Sequence, residues 1–201
     1  VQNLGSSNTS VTLKYINKDT QNIDLTLGPI TLGPGVAVGC NTRSGGNGCT
    51  AAATYNGLGA GWVGSVIVES TTQDVAAISY SLRPRDNEAG AYTAAAASNA
   101  GNNTFLSEVY QIGGSGDART LWSLLRLQNV SSNTATVQLL FVNRDGIVVN
   151  SATQNITIAG EKSSNFNLRT DSPINLGGNW SGGVHISSNQ PLAVVVENLW
   201  G

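Results

Sequence analysis

The stretch VQNLGSSNTSVTLKYINKD, residues 1–19, returns at residues 127–145 as LQNVSSNTATVQLLFVNRD. At an offset of 126 and without a gap, seven of the first twenty positions are identical. Several of the others are conservative, such as Tyr15 against Phe141 and Lys18 against Arg144. A long-period repeat means the chain carries two copies of one structural unit. Within the stretch, Val11, Leu13 and Tyr15 alternate with polar residues, the period of a half-buried strand. NKDT then reads as a turn, matched by NRDG in the second copy, where Gly146 makes the better turn. A second alternating run follows at Ile23, Leu25 and Leu27.

Farther along, GSVIVES (64–70) and DVAAISYSL (74–82) are answered by GGVHISS (182–188) and PLAVVVENL (191–199). Trp62-Val63-Gly64 and Trp180-Ser181-Gly182 introduce these hairpins in both copies. Helical periodicity is nearly absent. Short strands with frequent turn signals predict an all-β chain of two tandem β-sandwich domains. The boundaries read as 1–82 for the first, 83–103 for a linker rich in Ala, Gly and Asn, and 104–201 for the second. The second copy also has a run-in of two strands, 104–111 and 120–130, with no counterpart ahead of Val1.

Composition narrows the function. Charged residues make up 11% of the 201, against roughly 25% in an average soluble protein, and Ser, Thr, Asn and Gly take their place. Net charge is −2 and the ten basic residues are scattered, which argues against nucleic acid as a partner. The longest aliphatic run, PLAVVV at 191–196, is too short for a membrane span. The chain opens on Val with no leader, which reads as a processed mature chain or a window of a longer one. Cys40 and Cys49 flank a Gly- and Asn-rich loop that lets the thiols meet. We expect a disulfide there, and with it an oxidising, secreted or cell-surface location. With a single histidine and no further cysteine, neither a metal nor a cofactor is expected.

The motif set is an aliphatic-Gln-Asn start (Gln2-Asn3, Gln128-Asn129), a strand pair around Asp19 or Asp145-Gly146, Trp62-Val63-Gly64-Ser65 and Trp180-Ser181-Gly182-Gly183, and a final Gln190-Pro191 strand. It resembles the tandem repeats of large secreted surface proteins of filamentous bacteria, notably Chloroflexota. The first copy departs in having Gln73-Asp74 for Gln-Pro and in its cysteine loop. The resemblance implies immunoglobulin-like, secreted, non-enzymatic modules and transfers no active site.

Groups capable of chemistry are few. His185 matches Ile67 of the first copy, so a hydrophobe fills its position equally well, and no nucleophile-elbow sequence is present. Asp86 and Glu88 lie close together and Asp145 sits in a turn, but neither place has calcium-loop spacing; Arg83, Arg85 and Asp86 read as a solvated cluster. Trp62 and Trp180 occupy equivalent positions before a glycine and read as packing groups rather than a sugar platform. Trp122 and Trp200 complete the set, and Trp200 is expected to pack against its own domain or a neighbour. Sequons at Asn8, Asn102, Asn129, Asn155 and Asn179 are the candidate glycan sites, about as many as chance yields in so Asn- and Ser/Thr-rich a chain.

The missing run-in is the functional clue. A first sandwich short of one or two N-terminal strands exposes an edge and an apolar groove. Residues 104–111 folding back, a longer array, or a strand from another subunit would each fill it. Strand donation between subunits is heterologous and builds a filament. About four inserted side chains at ~1.5–3 kcal/mol each give roughly 6–12 kcal/mol before ordering costs. The donor residues expected are Phe105, Leu106, Val109 and Tyr110; the acceptor edge expected is Val1, Leu4, Val11 and Leu13. The sequence reading is therefore a self-polymerising subunit of an extracellular fibre or surface layer. Its alternative is an adhesin or carbohydrate-binding module pair.

Overall fold

A computed structural model of the chain describes residues 1–42, 45, 49, 55, 57–83, 88–113, 119–169 and 174–200. The fold is all-β, built of antiparallel sheets. The chain divides into two compact units, Val1–Ser79 and Tyr80–Gly201.

In the first unit, β1 (Gln2–Asn3), β2 (Thr9–Asn17), β3 (Ile23–Leu32), β4 (Gly64–Ser70) and β5 (Val75–Ala76) make two sheets. One has the order β3-β2-β4; the other is the short pair β1-β5. Alternation in β2 places Val11, Leu13 and Tyr15 in the core with Leu27, Leu32, Val38 and Tyr55. Opposite Val11 and Leu13, β3 carries one extra residue. Gly28 takes up that irregularity with φ 122°, and a Cβ there would meet the Val11 carbonyl at 2.7 Å.

The second unit begins within β6 (Ile78–Arg83), which pairs with β7 (Glu88–Thr93). It continues through β8 (Gly101–Gly113), β9 (Arg119–Asn129), β10 (Ala135–Asn143), β11 (Gln154–Ile158), β12 (Ser163–Asn167) and the 21-residue β13 (Trp180–Trp200). The first half of β13 pairs with β10 on one side and β8 on the other, and its second half pairs with β9. Because β8 also meets β9, the pairing runs in a circuit and the sheet folds over its own core. Val109, Leu125, Leu127, Val137, Leu139, Phe141, Val184 and Ile186 fill that interior.

The other face of β9 and β13 is covered as well. Trp122, Leu124 and Leu199 are buried there, and Glu197, 4% exposed, accepts from Arg126 Nη2 at 2.9 Å. Strand β7 lies against β13, and the Tyr92 ring sits 5.7 Å from the Arg126 guanidinium. The stretch read as a linker, 83–103, thus contains β7, a single 3-10 turn at Ala97–Asn99 and the first residues of β8. Residues 85 and 86 lie outside the described residues, as do the side chains of Arg83 and Glu88.

The repeat survives as register. Val11 faces Ser70, Leu13 faces Val68 and Asn17 faces Gly64; in the second unit Val137 faces Ser188, Leu139 faces Ile186 and Asn143 faces Gly182. On the second sheet Gln2 and Asn3 face Ala76 and Val75, as Gln128 and Asn129 face Ala193 and Leu192.

Candidate assembly edge

Equivalent side chains hold the two units in equivalent shape. Asn3 Nδ2 donates to the carbonyls of Ser7, Leu32 and Gly33 at 2.8, 3.1 and 3.1 Å, and its Oδ1 accepts from Gly5 N at 2.9 Å. Asn129 repeats this with Asn133, Ile158 and Ala159 at 2.7, 3.0 and 3.1 Å, and with Ser131 N at 3.0 Å. Both side chains are fully buried, so the Gln-Asn motif is a clamp on the neighbouring hairpin. The Trp-x-Gly motif is a close approach. A Cβ on Gly64 would lie 2.0 Å from the Ile16 carbonyl oxygen, and one on Gly182 would lie 2.2 Å from that of Val142. The tryptophan ring closes over the glycine in each case, and Trp62 meets Tyr15 edge-on as Trp180 meets Phe141.

Against this shared frame, one difference defines the site. In the second unit β8 covers the side of β13 away from β10, with Leu106 opposite Val184. In the first unit β4 is the counterpart of that half of β13, and it is the last strand of its sheet. No strand pairs with its outer side among the described residues. Val184 is 2% exposed, whereas Val66, at the same register, is 43% exposed. Val66 lies opposite the buried Tyr15 and so faces the interior of its unit.

Backbone polarity shows which groups are open. Lys18 N donates to Val63 O and Thr71 N donates to Ser10 O, so odd-numbered residues of β4 turn their N–H and C=O toward β2. Alternation leaves those of Gly64, Val66 and Val68 directed at the open side. Only three residues at one edge of a small sheet are involved, but such a row is a template for another strand.

The residues expected to accept and to supply a strand take the following places. Val11 and Leu13 belong to β2, which is paired on both sides and buried, so they offer no edge. Val1 is half-buried and its ammonium donates to Val38 O at 2.9 Å, while Leu4 is 60% exposed. Phe105, Leu106, Val109 and Tyr110 are already a strand of their own unit, with Val109 in its core. The edge residues Val66 and Val68 were missed, although aligning GSVIVES with GGVHISS would have pointed to them.

Other candidates resolve as structural. Cys40 and Cys49 form the disulfide, with a Cα–Cα distance of 5.3 Å, and pack against the first core beside Tyr55. Trp122 is fully buried and Trp180 nearly so, whereas Trp200 is 72% exposed. His185 lies on the outer face, its ring stacked on Phe105 at 4.3 Å and its Nε2 3.3 Å from Asn103 Oδ1. No acid or nucleophile joins it in the hydrogen bonds of the described residues. Among those residues no group of three acidic, histidine or cysteine side chains is placed to hold a metal. Asn8, Asn102, Asn155 and Asn179 are exposed, while the buried Asn129 amide is spent on its clamp.

Electrostatics near the edge are mild. Lys14 Nζ meets Glu69 Oε1 at 2.6 Å on the exposed surface. Asp24 accepts from Asn17 Nδ2 at 2.8 Å and Trp62 Nε1 at 2.9 Å. These two bonds, Asn17 first, hold its carboxyl below the ordinary value. Burial pushes the Tyr15 hydroxyl well above its ordinary value and lowers the Val1 ammonium.

No protein-family model matches the chain, and no curated protein does. Among solved structures, the chain is similar to the Anabaena sensory rhodopsin transducer at 17% identity and a TM-score of 0.38, over 47% of this chain and 85% of that one. The crystal structure of Thermotoga maritima 1070 aligns at 18% identity and 0.40, over 49% and 79%. Likenesses this distant carry no functional argument. No helix among the described residues is long and apolar enough to cross a membrane.

Proposed function

We propose that the protein is a structural subunit of an extracellular fibre or surface assembly, joined by edge-strand pairing between copies. In this reading the two units are tandem immunoglobulin-like sandwiches, the first short of strands its twin possesses, and the chain works without catalysis. The observation that carries it is Val66: a core-facing valine, 43% exposed, at a register where the second unit, with β8 paired alongside, buries its counterpart Val184. The low charge and the disulfide support a secreted or cell-surface setting.

Sedimentation velocity over a concentration series tests this, with negative-stain imaging alongside. The native protein is expected to associate into filaments or sheets as concentration rises. Val66→Pro removes an N–H that faces away from β2, so the variant keeps its ladder and loses the edge. It is expected to stay monomeric with an unchanged circular dichroism spectrum. A native chain that remains monomeric throughout sinks the proposal.

The adhesin or carbohydrate-binding reading rests on the exposed Phe105 beside His185 and Asn103, a flat ring flanked by an amide. Retention of the chain on a neutral glycan, abolished by Phe105→Ala in a protein that does not self-associate, would favour it.

A further inference from the structure

We propose that the strand completing β4 is β8 of a second copy, added through its own free edge, with Phe105 of one copy opposite Val66 of the other. This rests on the assembly reading above and names its two surfaces and their register. Strand β8 meets β9 only at Gln111–Gly113. Over residues 102–107 its side away from β13 is unpaired among the described residues. Neither edge carries the lysine or proline that guards an exposed strand against pairing: β4 reads GSVIVES and β8 reads NNTFLS there.

Hydrogen-bond parity fixes the choice of register. Ser188 O accepts from Asn102 Nδ2, so even-numbered residues of this half of β13 turn toward β8. Their partners Leu106 and Thr104, opposite Val184 and Ile186, turn back toward β13. Phe105 and Asn103 therefore point their backbone groups at the free side. On β4 the outward groups are those of residues 64, 66 and 68. In an antiparallel pair, residues facing each other must both point in or both point out. Phe105 can thus lie opposite Gly64, Val66 or Val68, and never opposite Ile67.

Exposure selects among the three. Gly64 has no side chain to cover, and Val68 already packs against its core. Val66 and Phe105 are 43% and 74% exposed, and side chains that face each other across an antiparallel pair lie on the same side of the sheet. Each covers the other. Asn103 then meets Val68, and the exposed carboxylate of Glu69 meets the Asn102 amide, so no like charges are opposed. Ser107 and Glu108, where the β8 ladder shifts register against β13, end the match. The two surfaces differ, one from each unit, so the contact is heterologous and copies add head to tail in an array that need not close.

The test mixes two single variants, Val66→Cys and Phe105→Cys, under mild oxidation. The described cysteines are paired in the native disulfide, so each variant brings one new thiol to its edge. A crosslinked dimer is expected from the mixture on a non-reducing gel, and background only from Ile67→Cys mixed with Phe105→Cys. A chain that carries both Val66→Cys and Phe105→Cys should give a ladder. Native protein that associates in sedimentation while the mixture gives no crosslink above the Ile67 control would overturn this pairing and leave the assembly reading standing. Native protein that stays monomeric overturns both.

Discussion

Asn3 and Asn129, 126 residues apart, make the same four hydrogen bonds to the same four positions of their own units. Aspartate cannot donate, so Asn129→Asp removes the Nδ2 donor shared by three carbonyls, of which that of Ala159 keeps Lys162 N, and places a charge in a buried site. A loss of about 2–4 kcal/mol is expected in urea denaturation of the second unit, and Asn3→Asp should do likewise in the first. Expression in a glycosylating host is expected to leave Asn129 unmodified in folded protein, as read by peptide mass spectrometry.

The Trp-x-Gly corner leaves no room for a methyl. Gly182→Ala drives a Cβ into the Val142 carbonyl and the Trp180 ring, neither of which can give way cheaply. A destabilisation of about 1–3 kcal/mol is expected, toward the upper end because backbone is involved. Thermal denaturation followed by tryptophan fluorescence checks it. Gly177→Ala, where nothing lies within 4 Å but φ is 86°, separates steric crowding from backbone conformation.

Arg126 and Glu197 pair beneath β7, with side-chain exposures of 17% and 2%. Arg126→Met strands a buried carboxylate, and a loss on the order of 3–5 kcal/mol is expected. The double variant Arg126→Met/Glu197→Leu should recover most of it, since an apolar pair of similar volume removes the desolvated charge. Chemical denaturation of the three proteins gives the coupling; additive losses would contradict the pairing.

Asp24 supplies a pH dependence of known sign. Its carboxyl titrates lower in the folded chain than in the unfolded one, so its contribution is fully present above the unfolded value. It fades as pH falls through the folded one. The stability of the first unit should therefore drop across that acidic window, and Asp24→Asn should flatten the drop. Trp62 emission, reporting the ring bonded to Asp24, is the probe. An unchanged pH profile in the variant would contradict the assignment.

The all-β class and the repeat were legible because alternation and duplication are written locally: VTLKYIN and ATVQLLFVN became β2 and β10 at equal register. What the alignment could not carry was pairing at a distance. Val11 and Leu13 have the most strand-like pattern in the first copy, yet that alternation suits a central strand, and the edge went to the less regular GSVIVES. Phe105, Leu106 and Val109 look like a strand in search of a sheet because their partner β13 lies some 80 residues on. The Ala- and Asn-rich stretch before them hid β7, which is held by tertiary contact and not by its own propensity.

Amide hydrogen exchange at Val66 and Val68 tests the central claim most directly, because their N–H groups face the side of β4 that no described strand covers. The account predicts fast exchange in dilute protein and strong protection once copies associate, with Ile67, bonded toward β2, protected in both. Exchange at Val66 and Val68 that stays fast in the associated protein would contradict it.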